Sequence, residues 1–326
     1  MSLETFEAAH QVAKRLKDSL GKVIRGRSDT VDLVLTGLIA GGHVLLEDYP
    51  GSGKTTLAKA LGRLIDCSVG STAEIVAFRR IQFTPDLLPS DVLGVNIFEP
   101  KSGTFRFQRG PVFSHVVLAD ELNRTGPKVQ AAFLECMAEK QVTLDNTTHN
   151  LDELFFVIGT QNPLDLAGTY PLPLVQLDRF LFRIPMRYVT AEVELEILKE
   201  AQAISTAATT LAPVVTRKEV LDAQKAAEDI QIADSLLSAI VSLVQSTRGN
   251  SLLQFGASTR SALMFKKALG AYCIITGRNF ATPDDFKFLA PIVLEHRLKF
   301  HPGAGDPKEA FQELVKPVVE RAVSLS

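Results

Sequence analysis

The sequence is poor in the features that mark secreted, disulfide-stabilised and membrane-spanning proteins. It has three cysteines, Cys67, Cys136 and Cys273, which are odd in number and widely spaced. We therefore predict reduced, buried thiols and neither a disulfide framework nor a metal site. The longest charge-free apolar run, residues 33–46, is too short to span a bilayer, and Glu4 and Glu7 argue against a secretory signal. We expect a cytoplasmic protein without a membrane span.

The chain also lacks an excess of either charge. Its formal net charge is -2, from 35 basic and 37 acidic residues, which gives no general attraction to nucleic acid or to an anionic membrane. With 326 residues, 46% of them hydrophobic, the chain can bury a substantial core and form two domains.

A glycine-rich stretch lies between a predicted strand and a predicted helix. The apolar run 43–46 leads into residues 47–56, and residues 57–61 then take up a helical pattern. A phosphate chain binds at such a junction because the unpaired N–H groups and the dipole of a helix start favour negative charge. The residues that we assign to nucleotide binding are Pro50, Gly51, Ser52, Gly53, Lys54, Thr55 and Thr56.

The residue types in this stretch suit ATP bound with Mg²⁺. Gly51 and Gly53 let the backbone wrap closely around phosphates, Lys54 reaches the outer phosphates, and the Thr55 hydroxyl binds magnesium. Asp48 departs from the strict pattern G-x-x-x-x-G-K-[ST], although Asp tolerates turn geometry. The alternative is a glycine-rich turn followed by a solvated lysine.

Two adjacent acids follow another apolar strand, residues 116–119. Burying carboxylates there is costly unless they meet a cation or solvent. We predict that Asp120 helps to hold magnesium through its water shell, and that Glu121 deprotonates the water that attacks the γ-phosphate. A strand that simply ends in an acidic turn is the alternative.

Three further residues are candidates with open alternatives. Asn162 follows a predicted strand and can contact the γ-phosphate or the attacking water, or it can belong to an Asn-Pro turn. Ile24 precedes the phosphate loop and can line the adenine base or join the core. Arg260, in the first turn of a helix capped by Ser258 or Thr259, suggests an anionic partner or is merely exposed.

Apolar and alternating segments predict an α/β core with a five-stranded parallel sheet. The strands are predicted near residues 43–46, 80–83, 116–119, 154–158 and 181–185. Hairpin insertions are predicted near 94–108 and 141–151. Arg106 and Arg109 of the first hairpin either contact a partner or substrate or lie on a solvated face. Predicted helices cover 6–20, 28–40, 127–139, 192–203, 217–227, 235–247, 260–272 and 283–298. We place a domain boundary near Thr190, between a nucleotide-binding core, 1–189, and a helical domain, 190–326, without a convincing strand.

These motifs, in this order, resemble the MoxR family of AAA+ ATPases over nearly the whole chain. The segments that carry the resemblance are 23–26, 80–91, 110–113, 118–124, 159–163, 168–173 and 176–180. The resemblance implies an AAA+ P-loop core with a C-terminal helical lid. It assigns Lys54 and Thr55 to Walker A, Asp120 and Glu121 to Walker B, Asn162 to sensor 1, Arg179 to an arginine finger and Arg260 to sensor 2.

The same resemblance implies a ring, usually a hexamer, with ATP hydrolysed between subunits. Members of the family act as chaperone-like machines that remodel partner proteins or load metals or cofactors into them. The partners often carry a von Willebrand factor A domain. The alternatives are a magnesium-chelatase-like ATPase subunit, a nucleic-acid motor, which the balanced charge disfavours, and a scaffold that binds ATP or ADP without catalysis.

Overall fold

The computed structural model describes residues 2–47, 51–68, 75–162, 168–303 and 305–324. The helices are Leu3–Gly21 (α1), Ser28–Ile39 (α2), Lys54–Leu64 (α3), Pro89–Leu93 (α4), Pro127–Glu139 (α5), Leu174–Leu177 (α6), Ala191–Thr210 (α7), Arg217–Glu228 (α8), Asp234–Ser246 (α9), Thr259–Thr276 (α10), Pro283–Leu294 (α11) and Pro307–Ser324 (α12). The strands are Val44–Glu47 (β1), Ile65–Asp66 (β2), Val76–Gln82 (β3), Gly94–Glu99 (β4), Thr104–Arg109 (β5), Ser114–Asp120 (β6), Gln141–Leu144 (β7), Thr147–Asn150 (β8), Phe156–Gln161 (β9), Phe182–Pro185 (β10), Val215–Thr216 (β11), Leu253–Phe255 (β12) and Lys299–Phe300 (β13).

A five-stranded parallel sheet of order β10-β1-β9-β6-β3 forms the core. All seven residues of β6 are buried, including Asp120 at its end. The apolar run before Asp120 is typical of a strand that is covered on both faces of a parallel sheet. Parallel pairing brings the carboxyl ends of the strands to one edge, where Glu47, Gln82, Asp120 and Gln161 end β1, β3, β6 and β9. The predicted α/β class and the five-stranded sheet are confirmed.

Both predicted hairpins are present. The first pairs β4 with β5, and the second pairs β7 with β8. Asp145 and Asn146 both have positive φ, of 46° and 64°, as the tight turn between β7 and β8 requires. In the first hairpin Arg106 is exposed, whereas the Arg109 guanidinium lies 5.1 Å from the centre of the Phe113 ring.

The C-terminal part is mainly helical, and every helix predicted there has a counterpart among α7 to α11. Ser258 caps α10 by accepting a hydrogen bond from the Ser261 N–H, which decides between the two capping candidates. The expectation of no strand is wrong in detail, because β11 pairs with β2 and β12 pairs with β13. Thr190 immediately precedes α7, and the domain boundary there stays a prediction.

The structure also shows the surroundings of the three cysteines and the character of the helices. Cys136 and Cys273 are buried and Cys67 is partly buried, and none of the three forms a disulfide. Across residues 2–324, apart from the gaps given above, no helix combines the length and the apolar character that crossing a bilayer requires.

Candidate active site

The glycine-rich turn and the start of α3 form one side of the site. Gly51 and Gly53 have φ of 87° and 90°, and a Cβ at either position would meet no heavy atom of the described residues within 4 Å. Glycine is therefore favoured there by backbone conformation and not by crowding. Gly53 caps α3, and its carbonyl accepts the Leu57 N–H at 2.9 Å, so the N–H groups of Lys54 and the next residues lie in the first helical turn. Pro50, like Asp48, lies outside the described residues.

Lys54 reaches the buried carboxylate at the end of β6. Its Nζ lies 3.5 Å from Asp120 Oδ1, and the Asp120 side chain is only 3% exposed. Thr160 donates a hydrogen bond of 2.7 Å to the same oxygen, and Arg80 donates from Nη2 to Oδ2 at 2.7 Å. Burial raises the pKa of Asp120, but the hydrogen bonds from Thr160 and Arg80 and the charge of Lys54 outweigh it and leave the pKa below its usual value. Asp120 is therefore an anion at neutral pH.

Glu121 occupies a left-handed backbone conformation, with φ of 59° and ψ of 50°. Its N–H donates to Thr160 Oγ1 at 2.9 Å. Gln82 Nε2 donates to Glu121 Oε2 at 2.6 Å, and Arg124 Nε lies 3.3 Å from that oxygen. In the described part of the chain, Glu121 Oε1 makes no hydrogen bond or ion pair. Gln82 and Arg124 therefore hold Oε2 of Glu121 in place, whereas Oε1 can accept a hydrogen bond from a bound water.

The other described residues of the predicted phosphate loop, and Asn162 after β9, belong to segments that meet at the same edge. Thr55 and Thr56 follow Lys54 in the first turn of α3 and are half-buried, while Ser52 Oγ lies 3.8 Å from Met186 Sδ. Asn162 directly follows β9, and its carbonyl accepts a hydrogen bond of 3.3 Å from the Asn123 side chain.

Lys54, Asp120 and Glu121 form a first cluster with the residues that contact them. Arg179 and Arg260 belong to a second cluster, which surrounds Asp178. Arg260 Nε lies 3.9 Å from Asp178 Oδ2, and Arg297 Nε donates to Asp178 Oδ1 at 2.8 Å. Arg179 is the next residue, half-buried, and its guanidinium makes no hydrogen bond or ion pair with the described residues. The second cluster therefore joins C-terminal helical residues to the short segment before β10.

Ile24 packs against the core, which is one of the two alternatives that the sequence left open, and its contact with the adenine base stays a prediction. It is half-buried against the core, and it also lines a groove of about 1010 Å³ between α1, α2 and the residues after β10. Gly26, in the same turn, has φ of 66°, and a Cβ there would lie 2.4 Å from Val193 Cγ1 of α7. The close approach of α7 to this turn explains the need for glycine.

Sequence reasoning missed three residues of the first cluster: Arg80, Gln82 and Thr160. Arg80 and Gln82 alternate with an apolar residue at the end of β3, and Gln82 pairs with Asp120 in the sheet register. Polar residues at the carboxyl end of a strand beside β6 were the available signal, because such ends meet at one edge of a parallel sheet.

Comparisons with known proteins agree with this geometry. A family model described as the ATPase family associated with various cellular activities (AAA) matches residues 43–182, and an AAA lid domain model matches residues 245–318. The chain is similar to Chaperone MoxR1 of Mycobacterium tuberculosis, with 36% identity over 286 residues, which cover 85% of this chain and 73% of that protein. It is also similar to the uncharacterized protein YeaC of Bacillus subtilis, with 43% identity over 91% of this chain and 90% of that one.

Two further similarities extend the comparison. Protein MoxR of Methylorubrum extorquens is 26% identical over 318 residues, which cover 89% of this chain and 88% of that protein. The crystal structure of an assigned ATPase from Cytophaga hutchinsonii superposes with a TM-score of 0.85 at 35% identity, and the match covers 98% of this chain and 96% of that one.

Proposed function

The chain belongs to the MoxR family of AAA+ ATPases, and on that premise we propose that it hydrolyses ATP to ADP and phosphate where Lys54, Asp120 and Glu121 meet. The observation that carries the proposal is the 3.5 Å separation of Lys54 Nζ and Asp120 Oδ1. Lys54 begins a helix and Asp120 ends a central strand, so the fold brings a cation, a buried anion and an adjacent second acid to one sheet edge. That set suits a triphosphate and a water nucleophile.

Binding relies on the turn before α3. The N–H groups of the first helical turn and the Lys54 ammonium supply positive charge to the phosphates. The open space around Gly51 and Gly53 allows the phosphate chain to approach the backbone directly. We assign Pro50, Ser52 and Thr56 to the same contact by their positions in the loop, and Ile24 to the adenine base.

The residues present fit magnesium. Asp120 supplies a carboxylate kept ionised at neutral pH, and Thr55 supplies a hydroxyl, both of which are the hard oxygen donors that Mg²⁺ prefers. Within the described residues, no group of three or more His, Cys, Asp or Glu side chains could hold a metal alone, and Mg²⁺ needs none, since phosphates and water complete its shell. When bound, Mg²⁺ neutralises charge that develops on the phosphate oxygens.

Glu121 acts as the general base. Its available Oε1 accepts a proton from water, the water oxygen forms a bond to the γ-phosphorus, and the bond from that phosphorus to the bridging oxygen breaks, which releases ADP and phosphate. Gln82 holds Oε2 and so limits the rotation of the carboxylate. Asn162, at the end of β9, is assigned to the attacking water or the γ-phosphate.

The cellular role follows the family. We propose a ring, a hexamer in the usual manner of the family, in which Arg260 contacts the nucleotide of its own subunit and Arg179 contacts that of the neighbour. The ring acts as a chaperone-like machine on a client protein or on a partner with a von Willebrand factor A domain, and it remodels the partner or loads a metal or cofactor into it. The name of the similar Chaperone MoxR1 supports this direction.

Glu121→Gln and Lys54→Ala test the proposed chemistry. Lys54→Ala should abolish nucleotide binding, whereas Glu121→Gln should bind ATP normally and lose turnover by roughly a hundredfold or more, the size of a general-base contribution. Lys59→Ala, which removes the same charge from an exposed position of α3, is the matched control and should leave both properties unchanged. Binding and phosphate release are measured separately.

The outcomes distinguish the competing functions. Near-normal turnover by Glu121→Gln would remove Glu121 as the base, and undiminished ATP affinity in Lys54→Ala would contradict the phosphate-loop assignment. Absence of hydrolysis by concentrated wild-type protein with magnesium would favour a non-catalytic scaffold that binds nucleotide.

A further inference from the structure

Arg80 is bound to the carboxylate that we assign to magnesium. It lies on β3, and both its Nε and its Nη2 donate to Asp120 Oδ2, at 3.1 and 2.7 Å. The same Nη2 donates to Gln82 Oε1 at 2.6 Å. The Arg80 side chain is 48% exposed, in contrast to the 3% of Asp120. A half-exposed cation thus occupies one oxygen of a buried anion.

The other oxygen of Asp120 is also engaged. Oδ1 accepts from Thr160 Oγ1 at 2.7 Å and lies 3.5 Å from Lys54 Nζ. Thr160 is fully buried, and its hydrogen bond to Oδ1 limits the rotation of the Asp120 carboxylate. Because Oδ1 already faces Thr160 and the Lys54 ammonium, we expect a magnesium water shell at Asp120 to compete with Arg80 for the lone pairs of Oδ2.

We propose that Arg80 is a positioning residue that competes with Mg²⁺ for Asp120 Oδ2 and thereby sets the free Mg²⁺ concentration that nucleotide binding requires. This inference rests on the proposed function, because it concerns the same site. It differs from the assignment of Asp120 itself, since Arg80 touches neither the reacting atoms nor the phosphates in this role.

The surroundings of Arg80 allow it to leave Asp120 and return. Its guanidinium is half-exposed and lines an open cavity of about 360 Å³ with Arg79, Arg109 and Phe113. The cavity gives the side chain room, and the negative charge of Asp120 attracts it back. Arg80 also holds Gln82 Oε1, and Gln82 holds Glu121 Oε2, so movement of Arg80 changes the support of both acids.

The test measures nucleotide affinity against free Mg²⁺, with Arg80→Gln as the main variant. A fluorescent N-methylanthraniloyl-ADP is titrated at a series of free Mg²⁺ concentrations and in EDTA. Arg80→Gln should lower the half-saturating Mg²⁺ concentration roughly tenfold, the order expected for removing one charge-assisted hydrogen bond from a competing cation, and should leave affinity in EDTA unchanged. Arg79→Gln, which removes the same charge from the adjacent residue of β3, should change neither quantity.

Arg80→Lys keeps the charge without the forked geometry, so its Mg²⁺ requirement should fall between those of the wild type and Arg80→Gln. It provides the same comparison if Arg80→Gln fails to fold, as judged by circular dichroism. An unchanged or higher Mg²⁺ requirement in the Arg80 variants would overturn the inference and leave Arg80 as a support for Asp120. Loss of affinity in EDTA would overturn it in favour of a direct phosphate contact. Failure of the wild type to bind the probe at any Mg²⁺ concentration would instead overturn the proposed function, and this inference with it.

Discussion

Thr160 touches both acidic residues at the end of β6. Its fully buried hydroxyl donates to Asp120 Oδ1 at 2.7 Å and accepts the Glu121 N–H at 2.9 Å. The second bond supports a backbone conformation that costs a non-glycine residue roughly 1–2 kcal/mol. One hydroxyl therefore orients the carboxylate assigned to magnesium and the residue assigned as base.

We predict that Thr160→Val lowers the free energy of unfolding by about 1–3 kcal/mol, because it leaves a buried carboxylate oxygen and a buried N–H less well paired. Thr125→Val is the matched control. Thr125 is equally buried, but its hydroxyl has no hydrogen-bond partner in the described part of the chain, so removing it should be neutral or stabilising. Urea unfolding of both variants gives the comparison. Equal losses would show that the size of the valine methyl group, and not the two hydrogen bonds, decides the outcome.

The sequence predicted the residues of the site whose roles follow from local order. Lys54 and Thr55 were found because a glycine-rich turn precedes them, and Asp120 and Glu121 because an apolar strand cannot end in two acids without a reason. Arg80 and Thr160 could not be assigned in this way, because their contacts with Asp120 depend on which strands are neighbours and in what register. Register is a property of the folded sheet that a single sequence does not display.

At the scale of elements, a buried ion pair joins the sheet to α8. Asp152 Oδ1 accepts from Arg217 Nε at 2.8 Å and lies 3.3 Å from His115 Nδ1 of β6. The Asp152 side chain is only 6% exposed. Burial raises the pKa of Asp152, but the contacts with His115 and Arg217 and the Leu154 N–H outweigh it and lower the pKa to about 2.

We predict that Asp152→Asn lowers the free energy of unfolding by about 2 kcal/mol at pH 7, the amount that corresponds to this pKa reduction. A depressed pKa stabilises the fold fully above the unfolded value near 3.8, and the benefit is lost as the pH falls through about 2. The difference between wild type and variant, measured by urea unfolding, should therefore narrow between about pH 4 and pH 2.

Glu153→Gln is the control for this prediction. Glu153 Oε2 lies 3.5 Å from Arg217, but its side chain is 79% exposed, so its removal should cost about 0.5 kcal/mol or less at any pH. A difference between wild type and Asp152→Asn that stays constant with pH would contradict the ionic origin of the stabilisation.

Most elements with a clear period were predicted, whereas the two-residue strands and the longer helix α12 were not. The helix 127–139 and the strands of the core were found because their apolar residues recur at helical or strand spacing. The pair of β11 with β2 was missed because each strand has two residues, too few for a period, and the partner lies far away in the chain. The predicted start of α2 at residue 28 agrees with the structure, in which Ser28 is the first helical residue and Arg27 precedes it without a side-chain cap.

At the scale of the whole molecule, Arg297 connects the C-terminal helical part to the segment before β10 by hydrogen bonds. Its side chain is 1% exposed and donates to Asp178 Oδ1, to the Phe180 carbonyl at 2.6 Å and to the Leu181 carbonyl at 3.2 Å. Burial lowers the pKa of Arg297 to about 10, against the raising effect of Asp178, so the group remains charged at neutral pH.

We predict that Arg297→Leu lowers the free energy of unfolding by about 3 kcal/mol, because it leaves Asp178 without its close partner and removes the donor to the buried Leu181 carbonyl, whereas the Phe180 carbonyl keeps its hydrogen bond with His296. Arg260→Leu removes the other arginine from the same aspartate. Because Arg260 is half-exposed and 3.9 Å away, that variant should cost about 0.5 kcal/mol. Thermal and urea unfolding both measure these losses. A similar loss of unfolding free energy in the two variants would argue against a special contribution of the buried Arg297 guanidinium.

Arg179 tests whether the molecule works alone or as a ring. It follows Asp178, which Arg297 holds by a hydrogen bond. The Arg179 guanidinium has no hydrogen bond or ion pair among the described residues, so it can contact a neighbouring subunit while the adjacent backbone is held in place. If it completes the site of a neighbour, turnover per subunit should rise with protein concentration, and Arg179→Ala should bind ATP yet lose hydrolysis by roughly a thousandfold. Mixing Arg179→Ala with Glu121→Gln should then restore activity, because the second variant supplies Arg179 to the intact Glu121 of the first. Turnover independent of concentration, or no recovery in mixtures that still co-assemble, would place the complete reaction within one subunit.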